Sequence, residues 1–205
     1  MRRPDKEGQG CRFLNLILIT VGSALIWACA SAGISNFDLE PAVGDQVSFN
    51  HQGLTIISLY LNDDDRMEFL RAAGREALSR EIRELKLTTF SLTVTNNSDR
   101  EVIVDPAGIR FASGYGPAQS PMSYAQLYMA LPRGAGRQTV LQEIQGIAFD
   151  KPVAIPPGSM EEGMLFFLRP EKVGREVAIV LDSLYLGGAQ LKALLAFKSV
   201  SLEDE

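Results

Sequence analysis

The sequence predicts an all-β domain, an antiparallel β-sandwich that spans residues 46–200 and carries two helical insertions. The first observation is the stretch 87–111, where apolar residues alternate with threonine and serine from Phe90 to Val94, so that one face meets a core and the other meets water. Asn96–Asp99 then supplies residues that favour a turn, and a second apolar run follows. We therefore expect a β-hairpin here. Because two strands alone are only marginally stable in water, further strands must cover it.

Those further strands are the second observation. The segments 46–49 and 54–61 are separated by Asn50–Gly53, which is typical of a hairpin turn. The run Met164–Leu168 is continuously apolar and has the length of a strand, as expected of a central strand in a sandwich. Apolar alternation over 177–200 predicts the last strands of the domain.

The two helical insertions are the third observation. Apolar residues recur at helical spacing from Arg66 to Leu85, behind the acidic cluster Asp63–Asp65, which we expect to cap the helix. Gly74 falls inside this segment and predicts a bend or fraying there. A second helix is predicted at Met122–Leu131, whereas Gln138–Phe149 suits either a short helix or the start of a strand.

The N-terminus, residues 1–28, is predicted to be a signal peptide or an anchor helix. A basic start precedes the apolar run Phe13–Ala30, and small residues follow, an order typical of an export signal. This run is at the short limit for crossing a bilayer, which takes about 20 residues. Residues 29–45 are predicted to be a linker and residues 201–205 an acidic tail.

Three fates of the N-terminal segment stay open. Ile26, Ala28 and Cys29 resemble the lipobox of bacterial lipoproteins, whereas Trp27 is bulkier than the residue usual in that motif. The resemblance implies that Cys29 is lipidated, becomes the new N-terminus and holds the chain at a membrane. Ordinary signal-peptidase cleavage within residues 28–32 also fits the pattern of small residues, and without cleavage the segment would be a single-helix anchor. Each fate exports the rest of the chain from the cytoplasm.

Charge and cysteine content argue against a nucleic-acid-binding protein and, if the chain is cleaved near Cys29, against an internal disulfide. The formal net charge is −5, and a mildly acidic chain argues against nucleic acid as the main partner, since phosphate binding needs a basic face. Cys11 and Cys29 are the only cysteines, so cleavage near Cys29 would leave no internal disulfide in the mature domain.

The sequence predicts no catalytic, cofactor or metal site. His51 is the only histidine and lies in an expected turn, and no Gly-x-Ser-x-Gly motif surrounds a serine. Asp63–Asp65 are consecutive, whereas calcium-binding loops space their carboxylates at alternate positions. We therefore expect a protein that is not an enzyme and uses no cofactor.

The candidate partner surface consists of aromatic and methionine residues in and around the second predicted helix. These are Tyr115, Met122, Tyr124, Tyr128 and Met129. Such residues are enriched in protein interfaces. They also serve as ordinary packing at the edge of a sandwich, so both interpretations stay open.

The run TFSLTVTNNSDREVIVDP, followed by IPPGSMEEGMLFFL, resembles a group of bacterial envelope proteins that carry an immunoglobulin-like β-sandwich of unassigned function. Val94–Asn97 and Pro157–Phe167 carry this resemblance. It implies an immunoglobulin-like fold at the bacterial cell envelope, facing the periplasm or the cell surface. We expect a non-enzymatic, membrane-anchored binding or assembly module that presents loops or a sheet edge to a protein partner. The alternative is a carrier that holds a lipid or other apolar ligand between the sandwich and a helix.

Overall fold

The computed structural model describes residues 37–44, 46–132 and 137–202, all of which belong to one compact unit. The predictions for residues 1–36, lipidation of Cys29 among them, lie outside the described residues. Among the described residues, no helix is long and apolar enough to cross a membrane.

The described chain forms two antiparallel sheets, which confirms the prediction of a mostly β fold. The strands are β1 (Phe37–Pro41), β2 (Val47–His51), β3 (Leu54–Leu61), β4 (Leu87–Asn96), β5 (Val102–Val104), β6 (Ile109–Ala112), β7 (Val153–Ile155), β8 (Ser159–Leu168), β9 (Glu176–Leu186) and β10 (Ala189–Ser201). The larger sheet has the order β1-β10-β9-β5-β7, with β6 also paired to β9. The smaller sheet has the order β2-β3-β4-β8.

Three of the helices lie in the two regions where the sequence predicts helical insertions, and a fourth lies in the segment 138–149, which suits either a helix or a strand by its sequence. They are α1 (Asp63–Ala72), α2 (Glu76–Glu81), α3 (Tyr124–Ala130) and α4 (Arg137–Gln145), together with a short 3₁₀ turn at Pro106–Gly108. The first predicted helix is divided into α1 and α2 because Gly74 has a φ of +72°, which an α-helix does not accommodate. Where the sequence predicts a bend or fraying at Gly74, the structure has a complete break between two helices.

A cluster of buried apolar side chains fills the space between the two sheets, with Phe90 of β4 among its fully buried members. The ring centroid of Phe90 lies 5.5 Å from that of Phe111 and 5.1 Å from that of Phe197, and both partners belong to the larger sheet. It also lies 6.0 Å from Phe167 of its own sheet in an edge-to-face arrangement. Tilted and edge-to-face rings attract one another in addition to the apolar area that they bury. Aromatic contacts therefore join the two sheets.

A second buried cluster lies on the other face of the smaller sheet, and the helices cover it. Every α-helix contributes to this cluster, as do β3, β4 and β8, and four residues outside these elements complete it: Ile82, Met122, Leu131 and Ile147. Its members from the helices include Leu70, Leu78, Leu127 and Ile144, and its members from the strands are Leu61, Leu87, Met164 and Phe166. The helical insertions thus form a third layer on the outside of the smaller sheet.

The hairpin predicted around Asn50–Gly53 is confirmed. β2 and β3 pair antiparallel, with His51 opposite Leu54. The two residues between the strands, Gln52 and Gly53, have φ values of +46° and +84°. Positive φ at both central positions suits the right-handed twist of the flanking strands, which is the usual condition for a two-residue hairpin.

The hairpin predicted over residues 87–111 is wrong. β4 pairs with β3 and β8 in the smaller sheet, whereas β5 and β6 both pair with β9 in the larger sheet. The chain therefore crosses between the sheets after β4. Asn96, which is fully buried, holds this crossing: its Nδ2 donates to the carbonyl oxygens of Arg100 at 2.8 Å and Ile155 at 2.9 Å. Its Oδ1 accepts from the Ser98 amide at 3.1 Å and from the Ser98 hydroxyl at 2.6 Å.

The run Met164–Leu168 was expected in a central strand, and this prediction is also wrong. The run lies in β8 at the edge of the smaller sheet. The side chains of Met164–Phe167 are buried on both faces because the inter-sheet core covers one face and the helices cover the other, whereas Leu168 is 61% exposed. The segment Ile147–Phe149 protects the open edge: the Phe149 amide donates to the Met164 carbonyl at 3.0 Å, and the Met164 amide donates to the Ile147 carbonyl at 2.7 Å.

Part of the predicted linker is a strand. Residues 37–41 form β1 at the edge of the larger sheet, and Phe37 and Leu39 are buried in the inter-sheet core. Pro41 suits an edge strand, because it lacks the amide hydrogen that a central position needs. At the other end, Ser201 of the predicted tail belongs to β10.

Candidate binding surface

The candidate surface is built on α3. A capping box starts the helix: the Gln126 amide donates to Ser123 Oγ at 3.3 Å, and the Ser123 amide donates to Gln126 Oε1 at 2.8 Å. Leu127 is fully buried in the second cluster, Tyr124 and Tyr128 are half-buried and pack against that cluster, and Met129 is exposed. A helix this short is not stable on its own, and the cap and Leu127 together fix the position of its outer face.

Two tyrosines one helical turn apart form the centre of this face. The rings of Tyr124 and Tyr128 stack with centroids 6.3 Å apart and planes 7° from parallel. The guanidinium of Arg137, at the start of α4, lies 4.0 Å from the centroid of Tyr128, and its Nη2 donates to the Tyr128 carbonyl oxygen at 3.4 Å. Met129 on the same helix is 75% exposed. The surface defined by Tyr124, Tyr128, Met129 and Arg137 is called the α3 surface below.

The five residues predicted for the partner surface do not all lie in one place. Tyr124, Tyr128 and Met129 share α3. Met122 is buried in the second cluster, and its amide donates to the Phe166 carbonyl at 2.7 Å, so its side chain does not face outward. Tyr115 is 41% exposed in the loop after β6, outside α3. The two interpretations of this segment therefore apply to different residues, since Met122 is core packing and Met129 is exposed.

Residues with catalytic or metal-binding potential lie apart in the described chain. Its ranges contain no group of three His, Cys, Asp or Glu residues that could hold a metal ion. The His51 ring stacks on Phe49 at a centroid distance of 6.3 Å, at the end of β2. Asn62, rather than the aspartates, caps α1: its Oδ1 accepts from the amides of Asp64 and Asp65, both at 3.0 Å. The three aspartates instead occupy the first turn, where negative charge suits the helix dipole.

A charged cluster around the buried Arg66 at the start of α1 was not predicted. Arg66 is fully buried, with Nη1 3.0 Å from Oδ1 of Asp63. The other oxygen of Asp63 lies 4.0 Å from Nη1 of Arg169, whose guanidinium lies 4.9 Å from the Phe37 ring centroid. Burial lowers the pKa of Arg66, and the charge of Asp63 opposes that shift. The available signal was the position of Arg66 four residues before Leu70, on the apolar side of the helix.

Tyr60 of β3 lies beside this cluster, and the loss of its proton at alkaline pH lowers the stability of the folded state. Burial, and then the charge of Asp38, raises the pKa of Tyr60 from 10.0 to about 12. The folded state thus holds this proton more tightly than the unfolded state. Its contribution to stability is complete below about pH 10 and is lost as the pH rises towards about 12, the folded-state value.

We expect the urea midpoint of the wild-type protein to fall more steeply over this pH interval than that of Tyr60→Phe, which has no proton to lose. Circular dichroism at a series of pH values measures both midpoints. Parallel curves for the two proteins would contradict the link between Tyr60 and alkaline stability.

Comparison with known proteins assigns no family to the chain. No family model matches it, and no curated protein matches it. Among solved structures, the yjhA protein from Bacillus subtilis is similar, with 11% sequence identity and a TM-score of 0.36. The match covers 66% of this chain and 76% of that chain. We draw no functional conclusion from it.

Proposed function

We propose that this chain is an exported, membrane-anchored binding module of the bacterial envelope, without catalytic activity, which holds a protein partner on the α3 surface. One observation carries the proposal: the stacked pair Tyr124 and Tyr128 has Arg137 over one ring and the exposed Met129 on the same helix. Tyrosine, methionine and arginine are enriched at interfaces, and tyrosine and arginine dominate binding hot spots. Rings that already pack against the core lose little conformational entropy when a partner binds.

The packing beneath the helices favours a protein partner over an apolar ligand. The space between the smaller sheet and the helices holds the chain's own side chains, such as Leu70, Leu127 and Phe166, which are at most 1% exposed. A carrier needs an apolar cavity, commonly about 300–1,000 Å³. Carriage of a lipid or other apolar ligand therefore stays the second hypothesis.

The finer fold and the compartment belong to the same proposal. Two face-to-face antiparallel sheets, with a chain crossing directly after the Val94–Asn97 motif, support an immunoglobulin-like sandwich of the kind found in the envelope lipoproteins that the sequence resembles. The lipobox-like residues before Cys29 support lipidation at that cysteine. The lipid would hold the domain at the membrane surface.

Site-specific photo-crosslinking in cells tests the α3 surface. We expect a photoreactive phenylalanine analogue at position 129 to form a discrete adduct with one envelope protein, because this side chain is 75% exposed beside the tyrosine pair. Tyr128→Ala in the same chain should reduce the adduct about tenfold or more, since removal of a hot-spot side chain costs about 2 kcal/mol or more. Thermal unfolding of the purified variant checks that it remains folded.

Leu194 provides the matched control position. It is 59% exposed on the outer face of the larger sheet, because its neighbours Ala193 and Leu195 point into the core. We expect no adduct there. Equal adducts at positions 129 and 194, or an adduct at 129 that Tyr128→Ala leaves unchanged, would show that the α3 surface does not hold the partner.

Fractionation of the same cells tests the anchor. If Cys29 carries the lipid, Cys29→Ala moves the mature domain out of the lipoprotein-containing membrane fraction or stops its processing, and electrophoresis shows the change in size. A Cys29→Ala chain of unchanged size in the same fraction would indicate an anchor other than a lipid on this cysteine.

A further inference from the structure

The buried side chain of Arg66 has hydrogen-bond donors without a partner. Nη1 forms the ion pair with Asp63 at 3.0 Å, whereas Nε and Nη2 make no hydrogen bond to any described residue. A buried donor without an acceptor costs about 1–3 kcal/mol, and more when it is charged. Folded proteins pair nearly all such groups, so the two nitrogens of Arg66 call for an acceptor that the described chain does not provide.

The positions of these two nitrogens indicate the chemistry of that acceptor. Nε and Nη2 share one edge of the planar guanidinium, so their N–H groups are parallel and point in the same direction. Such an edge matches the two oxygens of a carboxylate or a phosphate group, and both hydrogen bonds are then assisted by charge. Asp63 does not serve this edge, because one of its oxygens faces Nη1 of Arg66 and the other faces Arg169 at 4.0 Å.

An open cleft leads to Arg66. Its walls are formed by α1 and the segment after α2, and its lining residues are Asp63, Asp64, Arg66, Met67, Glu68, Arg71 and Arg83. Arg71 and Arg83 are exposed, so their long side chains are free to turn towards an entering ligand. The lining holds three guanidinium groups and three carboxylates, so its charges balance, and Arg169 lies beside it, 4.0 Å from Asp63.

We propose that the Nε–Nη2 edge of Arg66 binds an oxyanion, a carboxylate or a phosphate group, which enters through this cleft. The two nitrogens are covered in the structure, each exposing less than 1 Å². Entry therefore requires the cleft side chains to rotate, and the bound oxyanion then satisfies the buried donors. Asp63 holds the guanidinium in place from its opposite side. The site is separate from the α3 surface and does not depend on the proposed function.

Nuclear magnetic resonance of the ¹⁵N-labelled full-length protein tests this proposal directly through the Nε–H signal of Arg66. We expect a saturable shift of this signal when inorganic phosphate or sodium acetate is added to tens of millimolar, and no saturable shift with sodium chloride at equal ionic strength. Tighter binding of phosphate would assign the site to a phosphate group. Tighter binding of acetate would assign it to a carboxylate, as on an acidic peptide.

Two variants distinguish binding of the anion by the Nε–Nη2 edge of Arg66 from general attraction of the anion to positive charge. Arg66→Lys keeps the charge but loses the parallel donors, and we expect it to weaken binding about tenfold or more, because both charge-assisted hydrogen bonds of the guanidinium edge are lost. Because this variant lacks the Arg66 signal, its binding is followed through the backbone amide signal of Met67, which lines the cleft, in both proteins. Arg80→Gln removes an exposed charge of α2 outside the cleft and should leave the affinity unchanged.

The proposal is overturned if the Arg66 Nε–H signal does not saturate with either anion in the wild-type protein. It is also overturned if the Nε–H signal of Arg80 shifts with the same midpoint. Neither result depends on the stability of a variant. Because Tyr128→Ala should leave the titration unchanged, failure at Arg66 and failure at the α3 surface are separate outcomes.

Discussion

Phe90→Ala is expected to lower the free energy of unfolding by about 3–5 kcal/mol, the usual range for removing a buried phenylalanine ring. The ring is fully buried and contacts Phe111 and Phe197 of the opposite sheet. Its loss removes apolar burial and aromatic contacts, and it leaves a cavity between two sheets whose backbones are fixed by their own ladders. Urea unfolding of the full-length protein, followed by circular dichroism, measures the change.

Leu194→Ala is the matched control for Phe90→Ala. It also truncates a large apolar side chain in a strand, but Leu194 is 59% exposed. A surface substitution of this kind changes stability by about 0.5 kcal/mol or less. Similar losses for the two variants would contradict the central position of Phe90 in the inter-sheet core.

Asn96→Ala is expected to lower the free energy of unfolding by about 2–4 kcal/mol, because each buried polar group left without a partner costs about 1–3 kcal/mol. The substitution deprives the carbonyl oxygens of Arg100 and Ile155 of their donor. It also deprives Ser98 of the oxygen that its amide and hydroxyl share. The bond to Ile155 spans 59 residues and joins the crossing to the end of β7.

The neighbouring Asn97 is the control for this prediction. Its side chain is exposed, whereas its amide donates to the Gly53 carbonyl at 2.8 Å through the backbone, which Asn97→Ala retains. We expect a change of about 0.5 kcal/mol or less for this variant. Comparable losses at both positions would show that the turn residues act through local propensity rather than through the buried amide of Asn96.

Local patterns predicted the elements whose cause is local. The β2–β3 hairpin follows from two alternating runs joined by a two-residue turn at Gln52–Gly53. The break between α1 and α2 follows from Gly74, whose positive φ needs no distant contact. The start of α3 follows from Ser123 and Gln126, since a capping box involves only residues three positions apart.

Local patterns could not predict which strands pair with one another. β4 and β5 are joined by a short turn, and their apolar residues record only that each strand has a buried face. The pattern is therefore the same whether the two strands pair with each other or face each other across a core. The buried amide of Asn96 favours the crossing, but one of its acceptors is Ile155, far away in the chain. The position of Met164–Phe167 in its sheet could not be predicted for the same reason. A continuous apolar run indicates that both faces of a strand are buried, but it does not show whether the strand has one neighbouring strand or two.

The candidate surface was predicted in part for the same reason. Tyr124, Tyr128 and Met129 were identified by residue type, which is a property of the sequence. Met122 is a methionine like Met129, yet it is buried in the second cluster because the helices fold over β8. Arg66 is the reverse case: no prediction singled out this residue, and the packing of α1 on the smaller sheet buries it.

The sequence by itself therefore determined the mostly β character, the β2–β3 turn, the regions of α1 to α3, and the residue types available for binding. The tertiary structure alone decided which strands share a sheet, which methionine is exposed and which arginine is buried. The physical reason is that periodicity records which sides of an element avoid water. It does not record what covers them, and that depends on contacts between residues far apart in the chain.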